Sequence, residues 1–96
     1  MHFYHRTKFV LTEHARTRAQ ERIPMLKNVD SINLDYIITK AVEDAYEINY
    51  ISAPELDYCI LSEEFWNKDE PVYALVKVEA KKYIILTFVY KKSLPR

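Results

Sequence analysis

Three basic side chains, His14, Arg18 and Arg22, recur every four residues near the start of the chain. An imidazole can accept a proton, and guanidinium groups pair with phosphate oxygens. Residues with this spacing lie on one face of an α-helix. The pattern therefore predicts a basic face, carried by a single helix, that is suited to phosphate.

The segment from Thr12 to Ile23 is predicted to form that helix. Thr12 is a good N-cap, because its hydroxyl can accept a hydrogen bond from the first turn, and Pro24 stops the helix. Ala15, Ala19 and Ile23 form an apolar stripe beside the basic one. Two alanines let a helix backbone approach a sheet closely, so we expect the basic side chains at the seam between helix and sheet.

Structural explanations for these residues stay open. His14 is also explained as a histidine that packs against a loop, and Arg18 and Arg22 as partners of neighbouring carboxylates. His14 and Arg22 lie two turns, roughly 12 Å, apart along the helix axis. They cannot contact one atom together, so Arg22 is expected to hold a neighbouring phosphate or to brace the site.

A second group of candidates lies in and after the strand predicted at Tyr83–Tyr90. Thr87 and Tyr90 have an odd separation and point to opposite faces of a regular strand, so one site includes both only through a bulge or a strand end. Thr87 is more simply interpreted as a β-branched residue that packs in the strand. Tyr90 is interpreted either as an aromatic residue at the end of the sheet or as a functional phenol. Lys91 and Lys92 follow at the exit of the strand.

The distribution of charge suggests that the two ends of the chain share a face. The 96 residues fit one domain, and 14 basic residues balance 14 acidic ones. Residues 1–28 hold six basic and two acidic groups, residues 29–72 two and eleven, and residues 73–96 six and one. If the ends meet, they form a cationic face suited to phosphate; ordinary solvated charges explain the pattern equally well.

Several classes of site are excluded or disfavoured. Glycine is absent, which excludes the glycine-dependent phosphate cradles of nucleotide-binding proteins. The single cysteine, Cys59, forms no internal disulfide and is interpreted as a small core residue. No metal site is expected, because His2 and His5 lie at the start of the chain and no carboxylate pair has ligand spacing with a histidine.

The chain is expected to be soluble and cytoplasmic. No apolar run approaches the length that spans a membrane. Arg6 and Lys8 interrupt any apolar core of a leader sequence. Trp66, in a polar and acidic loop, is interpreted as a lid over the core, with stacking on a base or anchoring of a protein partner as alternatives.

The predicted fold is α+β, with two N-terminal helices packed on one face of a four- to five-stranded antiparallel sheet. The second helix is indicated by an apolar face from Leu34 to Ala45, with Asn33 or Ser31 as its cap. Residues 62–71 are predicted as a loop or a single helical turn. Alternation of apolar and polar residues, together with a high content of β-branched residues, predicts strands at Lys8–Leu11, Tyr46–Ser52, Leu56–Leu61, Val72–Glu79 and Tyr83–Tyr90.

These motifs resemble a known family. His14-Ala15-x-x-Arg18-x-x-Glu21-Arg22 and the closing Ile-Leu-Thr-Phe-Val-Tyr are similar to small prokaryotic domains that begin with a His-Ala-x-x-Arg-x-x-x-Arg helix and end with a Thr-x-x-Tyr strand. Those domains are grouped with the barnase, EndoU, colicin and RelE superfamily, which contains metal-independent ribonucleases and toxins of toxin–antitoxin systems. The resemblance runs from about Phe9 to Ser93 and implies a RelE-like fold.

The resemblance implies an endoribonuclease that needs no cofactor. RNA would lie along the cationic face, with His14 taking the 2′-hydroxyl proton and Arg18 stabilising the phosphoryl oxygens. Tyr90 or Lys91 would assist the leaving oxygen. The expected partners are RNA and a protein such as an antitoxin. The candidates for substrate binding are Arg22, Thr87, Lys91 and Lys92.

Two other functions stay open. A non-catalytic phage or mobile-element protein would use the same seam, or Trp66, to bind a protein or a nucleotide, and the acidic segment 55–70 favours a basic protein partner. A structural homodimer through the apolar strand Tyr83–Tyr90 is the third possibility.

Overall fold

A computed structural model describes residues 8–94, which form two α-helices and five strands. The fold is α+β, as predicted, and three one-turn 3-10 helices lie at Pro24–Leu26, Glu63–Phe65 and Lys91–Ser93. The elements follow one another as β1 (Phe9–Leu11), α1 (Glu13–Arg22), α2 (Ser31–Ile48), β2 (Ile51–Ala53), β3 (Leu56–Ile60), β4 (Val72–Glu79) and β5 (Lys82–Tyr90).

The sheet has the strand order β1-β5-β4-β3-β2 and is mixed. β2 to β5 pair antiparallel, but β1 runs parallel to β5, with Phe9 opposite Tyr83. The prediction of a purely antiparallel sheet is therefore wrong at this edge. β1 and β5 come from opposite ends of the chain, so no hairpin sets their relative direction. Helical turns also occur after β3, so helical structure is not confined to the N-terminal half.

The second helix is longer than predicted and has a different cap. Asp30 is the N-cap, and its carboxylate accepts from the Asn33 amide at 2.9 Å. The helix continues through Tyr46 to Ile48, where a strand was predicted. Tyr46 follows Val42 by one turn, and its ring packs edge-on against the ring of Tyr83. This aromatic contact favours continuing the helix, although the alternating residues after Ala45 also fit a strand.

Both α-helices pack on one face of the sheet. Their apolar stripes and the facing strand residues form a single buried cluster, and β4, in the centre of the sheet, supplies residues that are fully buried. The two alanines of α1 are fully buried, as their predicted packing role requires. Among the buried members of this cluster are Ala15, Ala19, Leu34, Ile38, Val42, Cys59, Ala74, Val76, Ile85 and Phe88.

A β-bulge in β5 determines which of its side chains face the helices. Ile85 lies opposite Val76, but Thr87 lies opposite Leu75, so Leu86 is an extra residue in the ladder. The bulge shifts the alternation by one position. As a result Ile85 and Phe88, three residues apart, are both fully buried in the cluster beneath the helices.

Among the described residues, three turns use left-handed backbone without glycine, one of them at Lys68, whose φ angle is 58°. Ala80 and Lys81, which join β4 to β5, have φ angles of 49° and 67°. Two consecutive positive φ angles are typical of the type I′ hairpin turn, whose twist matches that of the flanking strands. Glu55, between β2 and β3, has a φ angle of 69°. β2 and β3 pair antiparallel across this turn.

Thr12 attaches the start of α1 to the bulge. As predicted, it is the N-cap, and its hydroxyl oxygen accepts from the Ala15 amide at 3.1 Å. The same hydroxyl donates to the carbonyl of Ile85 at 2.9 Å. One side chain thus satisfies a helix amide and a carbonyl of the bulged strand.

We expect Thr12→Ala to lower the free energy of unfolding by about 1–2 kcal/mol, because both hydrogen bonds are lost. Thr17→Ala is the matched control: Thr17 is exposed on the same helix, and its replacement should change stability by less than about 0.5 kcal/mol. Urea denaturation followed by circular dichroism measures both. Equal midpoints for the two variants would contradict this role of Thr12.

Candidate functional site

Helix α1 covers the part of β5 that β1 does not reach. β1 pairs with β5 only as far as Ile85. The ten residues of α1 are about 15 Å long. The distance along β5 from Ile85 to Tyr90 is about 17 Å. The helix therefore spans this stretch of strand, and contacts at both of its ends join it to β5.

At the C-terminal end, Arg22 and Tyr90 hold the helix to the strand. Arg22 Nη1 donates to the Phe88 carbonyl at 2.7 Å, and the Tyr90 hydroxyl donates to the Arg22 carbonyl at 3.2 Å. Asn67 Nδ2 donates to the Tyr90 oxygen at 2.9 Å. The last carbonyls of a helix have no partner within it, so Tyr90 caps α1 from the sheet. The phenolic proton of Tyr90 is therefore used in the hydrogen bond to the Arg22 carbonyl.

His14 and Arg18 continue the basic row toward the start of α1. The imidazole of His14 is exposed. Arg18 Nη1 lies 2.7 Å from a carboxylate oxygen of Glu21, one turn further along the helix. A partly exposed pair of this kind contributes little to stability. A phosphate can therefore compete with Glu21 for the Arg18 guanidinium.

Two lysines extend the basic surface from the end of β5. Lys91 and Lys92 belong to the 3-10 helix that follows Tyr90, and both are exposed. Within residues 8–94, neither takes part in an ion pair. Both lysines follow directly after Tyr90, the residue that caps α1. The basic row on the helix and the two lysines after the strand are therefore neighbours.

The predicted site residues thus fall into three groups. Arg22 and Tyr90 are in contact, with Lys91 and Lys92 next in the chain. His14 lies two turns before Arg22 on α1, with Arg18 between them. Thr87 lies on the other face of the sheet, since it is opposite Leu75 while Phe88 is buried under the helices.

Sequence reasoning missed Asn67 and the pair formed by Arg16 and Asp35. Arg16 binds the Asp35 carboxylate through two nitrogens, at 2.8 and 2.9 Å, and so joins α1 to α2. The hydrogen bond to the Asp35 carboxylate raises the pKa of the Arg16 guanidinium. Neither contact has a local signal, because the partners are far apart in sequence. Trp66 donates its indole N–H to the Leu61 carbonyl at 2.8 Å, which fits its interpretation as a lid.

No protein-family model, curated protein or solved structure matches the chain. The membership of the RelE-related superfamily therefore stays a prediction. Within the described range, no three His, Cys, Asp or Glu side chains are grouped so that they could hold a metal ion. In the same residues, every helix is too short or too polar to cross a bilayer.

We expect Tyr90→Phe to lower the free energy of unfolding by about 1–2 kcal/mol, because the Arg22 carbonyl and the Asn67 amide each lose a partner. Tyr50→Phe, at an exposed tyrosine, is the matched control. Urea titration gives both values. If the Tyr90 variant is as stable as the Tyr50 variant, the hydroxyl does not hold the helix.

Cys59 lies in β3 and is buried, as predicted. Burial raises the pKa of the thiol to about 12 from a usual value of 9.0, and the nearby Asp57 carboxylate adds to the shift. The folded protein therefore holds a protonated thiol at neutral pH. A buried thiol of this kind is a poor nucleophile.

Cys59 in the folded protein should not react with Ellman's reagent at pH 8, whereas in denaturant it should react at once. Above pH 9 the unfolded chain ionises this thiol and the folded chain does not, so its contribution to stability falls as pH rises. Between pH 8 and pH 10 the wild type should lose about 1 kcal/mol more than Cys59→Ala in urea titrations. Equal losses would show that the burial of the thiol has no energetic effect.

Proposed function

We propose that this protein binds RNA along the seam between α1 and the end of β5, and that it cleaves the RNA without a metal ion. The observation that carries the proposal is the meeting of the two basic segments. His14, Arg18 and Arg22 lie in a row on α1, and Lys91 and Lys92 follow at its C-terminal end.

The length and exposure of this surface suit a nucleic-acid strand. The row on α1 is roughly 12 Å long. One strand of a duplex carries a phosphate about every 3.4 Å along its axis, so several phosphates fit along the row. The ion pair of Arg18 with Glu21 is partly exposed, and its net value is below about 1 kcal/mol. An RNA phosphate can therefore displace the carboxylate.

The proposed reaction is an attack of the 2′-oxygen on the adjacent phosphorus. His14 takes the 2′-hydroxyl proton, the bond from the 2′-oxygen to phosphorus forms, and the bond to the 5′-oxygen breaks. Arg18 stabilises the charge on the phosphoryl oxygens. Water gives a proton to the 5′-oxygen, because Lys91 and Tyr90 lie beside Arg22, two helical turns from His14, and the Tyr90 hydroxyl donates to the Arg22 carbonyl. Lys91 binds a flanking phosphate.

The remaining residues hold the site and its substrate. Arg22 is bound to the Phe88 carbonyl, so it braces the seam and adds positive charge. Lys92 is placed to bind a flanking phosphate. Thr87, on the other face of the sheet, is left out of the proposed reaction. The RelE-like resemblance supports the same assignment of His14 and Arg18, and it adds an antitoxin-like protein as a proposed partner.

The chemical step is tested with His14→Ala in the presence of EDTA. A general base contributes at least about 100-fold to the rate, so cleavage of a single-stranded RNA should fall by that factor while RNA binding changes little. Arg18→Ala should reduce both cleavage and binding. Unchanged cleavage in both variants would remove the assigned roles.

The binding step has a matched pair of double variants. Lys91→Ala with Lys92→Ala removes two exposed charges at one end of β5, and Lys81→Ala with Lys82→Ala removes two at the other. Only the first should weaken RNA binding and flatten its dependence on salt concentration. Equal losses in both would show that binding follows overall charge and not this seam.

A non-catalytic binding protein is the second candidate. The hydrogen bonds of Arg22 and Tyr90 to the backbone of β5 and α1 favour it, because these two groups already stabilise the fold. RNA that binds at the seam and stays intact at high protein concentration would select this candidate.

A further inference from the structure

A groove lies on the other side of the helical layer from α1. Its volume is about 390 Å³, and it runs between one face of α2 and the turn after β3. Its walls are mostly apolar and include Ile37 and Ala41 from α2, and Ile60 and Phe65 from β3 and the following 3-10 helix. A volume and lining of this kind are typical of binding sites.

Large apolar side chains stand exposed around this groove. Tyr36 is 70% exposed and Ile48 is 84% exposed, and both line it from α2. Ile60 is 40% exposed on the facing wall. Single apolar residues on a surface are ordinary, but several around one concave site are typical of an interface. The thirteen residues from Tyr36 to Ile48 extend for roughly 18 Å.

The two chain segments that line the groove carry a net negative charge. The two segments that line it, residues 36–49 and 60–65, contain five carboxylates and one lysine. The lysine, Lys40, is paired with Asp44 at 3.3 Å. Asp44 and Glu64 line the groove, and the other three carboxylates, Glu43, Glu47 and Glu63, are next to lining residues in the chain. This charge repels nucleic acid and complements lysine and arginine.

We propose that this groove binds a basic amphipathic segment of a partner protein. The apolar side chains of the segment enter between α2 and the turn after β3, and its lysine or arginine side chains face the carboxylates. The roughly 18 Å from Tyr36 to Ile48 match about three turns of a partner helix. The groove is separate from the basic seam, so this inference does not depend on RNA binding.

The probe is a fluorescent peptide of about twelve residues, made of leucine and lysine with the leucines on one helical face. It should bind saturably with one peptide for each chain. A peptide with glutamate in place of every lysine should bind at least about tenfold more weakly. Equal binding of the acidic peptide would overturn the proposal.

Two isoleucines of α2 provide the decisive comparison. Ile48 and Ile32 are both 84% exposed, but only Ile48 lines the groove. Ile48→Lys should weaken binding roughly tenfold, because it removes an apolar contact and repels the peptide. Ile32→Lys, which adds the same charge to the same helix, should stay within about twofold. Equal effects would place the peptide outside the groove and overturn the proposal.

A second variant and the state of association complete the test. Glu64→Lys, at an exposed residue of the rim, should also weaken binding several-fold, and RNA binding should be unaffected by either groove variant. Sedimentation of the peptide-free chain should give a monomer. A dimer that Ile48→Lys dissociates would mean that a second copy fills the groove, and the proposal of a basic partner would be wrong.

Discussion

The attachment of α1 to β5 is the interaction on which the rest of the arrangement depends. From the Ile85 carbonyl onward, β5 has no β1 residue beside it, and strand carbonyls without partners are costly when buried. Thr12 and Arg22 bind those carbonyls from the two ends of the helix, and Tyr90 binds the last carbonyl of the helix in return. The basic row on α1 is therefore held beside the C-terminal lysines by the bonds that hold the fold.

Some residues whose types suggest a catalytic or binding role make contacts that stabilise the fold. Arg22 and Tyr90 stabilise the seam, whereas His14 and Lys91 are exposed and Arg18 has only a partly exposed partner. In the proposed site, Arg22 and Tyr90 therefore support the fold, and their neighbours His14, Arg18 and Lys91 contact the substrate. The net charge of the chain is balanced, but its basic and acidic groups are separated in space. Basic groups collect along α1 and the end of β5, and the two segments that line the groove of α2 carry more carboxylates than lysines.

The sequence predicted the features that depend on nearby residues. Thr12 and Pro24 set the ends of α1, and β-branched residues identified β4 and β5 with nearly correct bounds. The direction of β1, the bulge at Leu86 and the contact of Asn67 with Tyr90 were not predictable, because each depends on residues distant in the chain. Continuation of α2 was missed for a related reason: alternating residues after Ala45 fit a strand until Tyr46 packs on Tyr83.

The joining of the first and last segments has a consequence for the order of folding. The bonds from Thr12 and Arg22 to β5, and from Tyr90 back to Arg22, connect residues 66 to 74 positions apart. Long-range contacts slow folding, because the chain loses entropy before they form. On the ribosome, β1 and α1 emerge before β5 and have no strand to pack on until β5 has been synthesised. The basic seam therefore forms only after translation has passed β5.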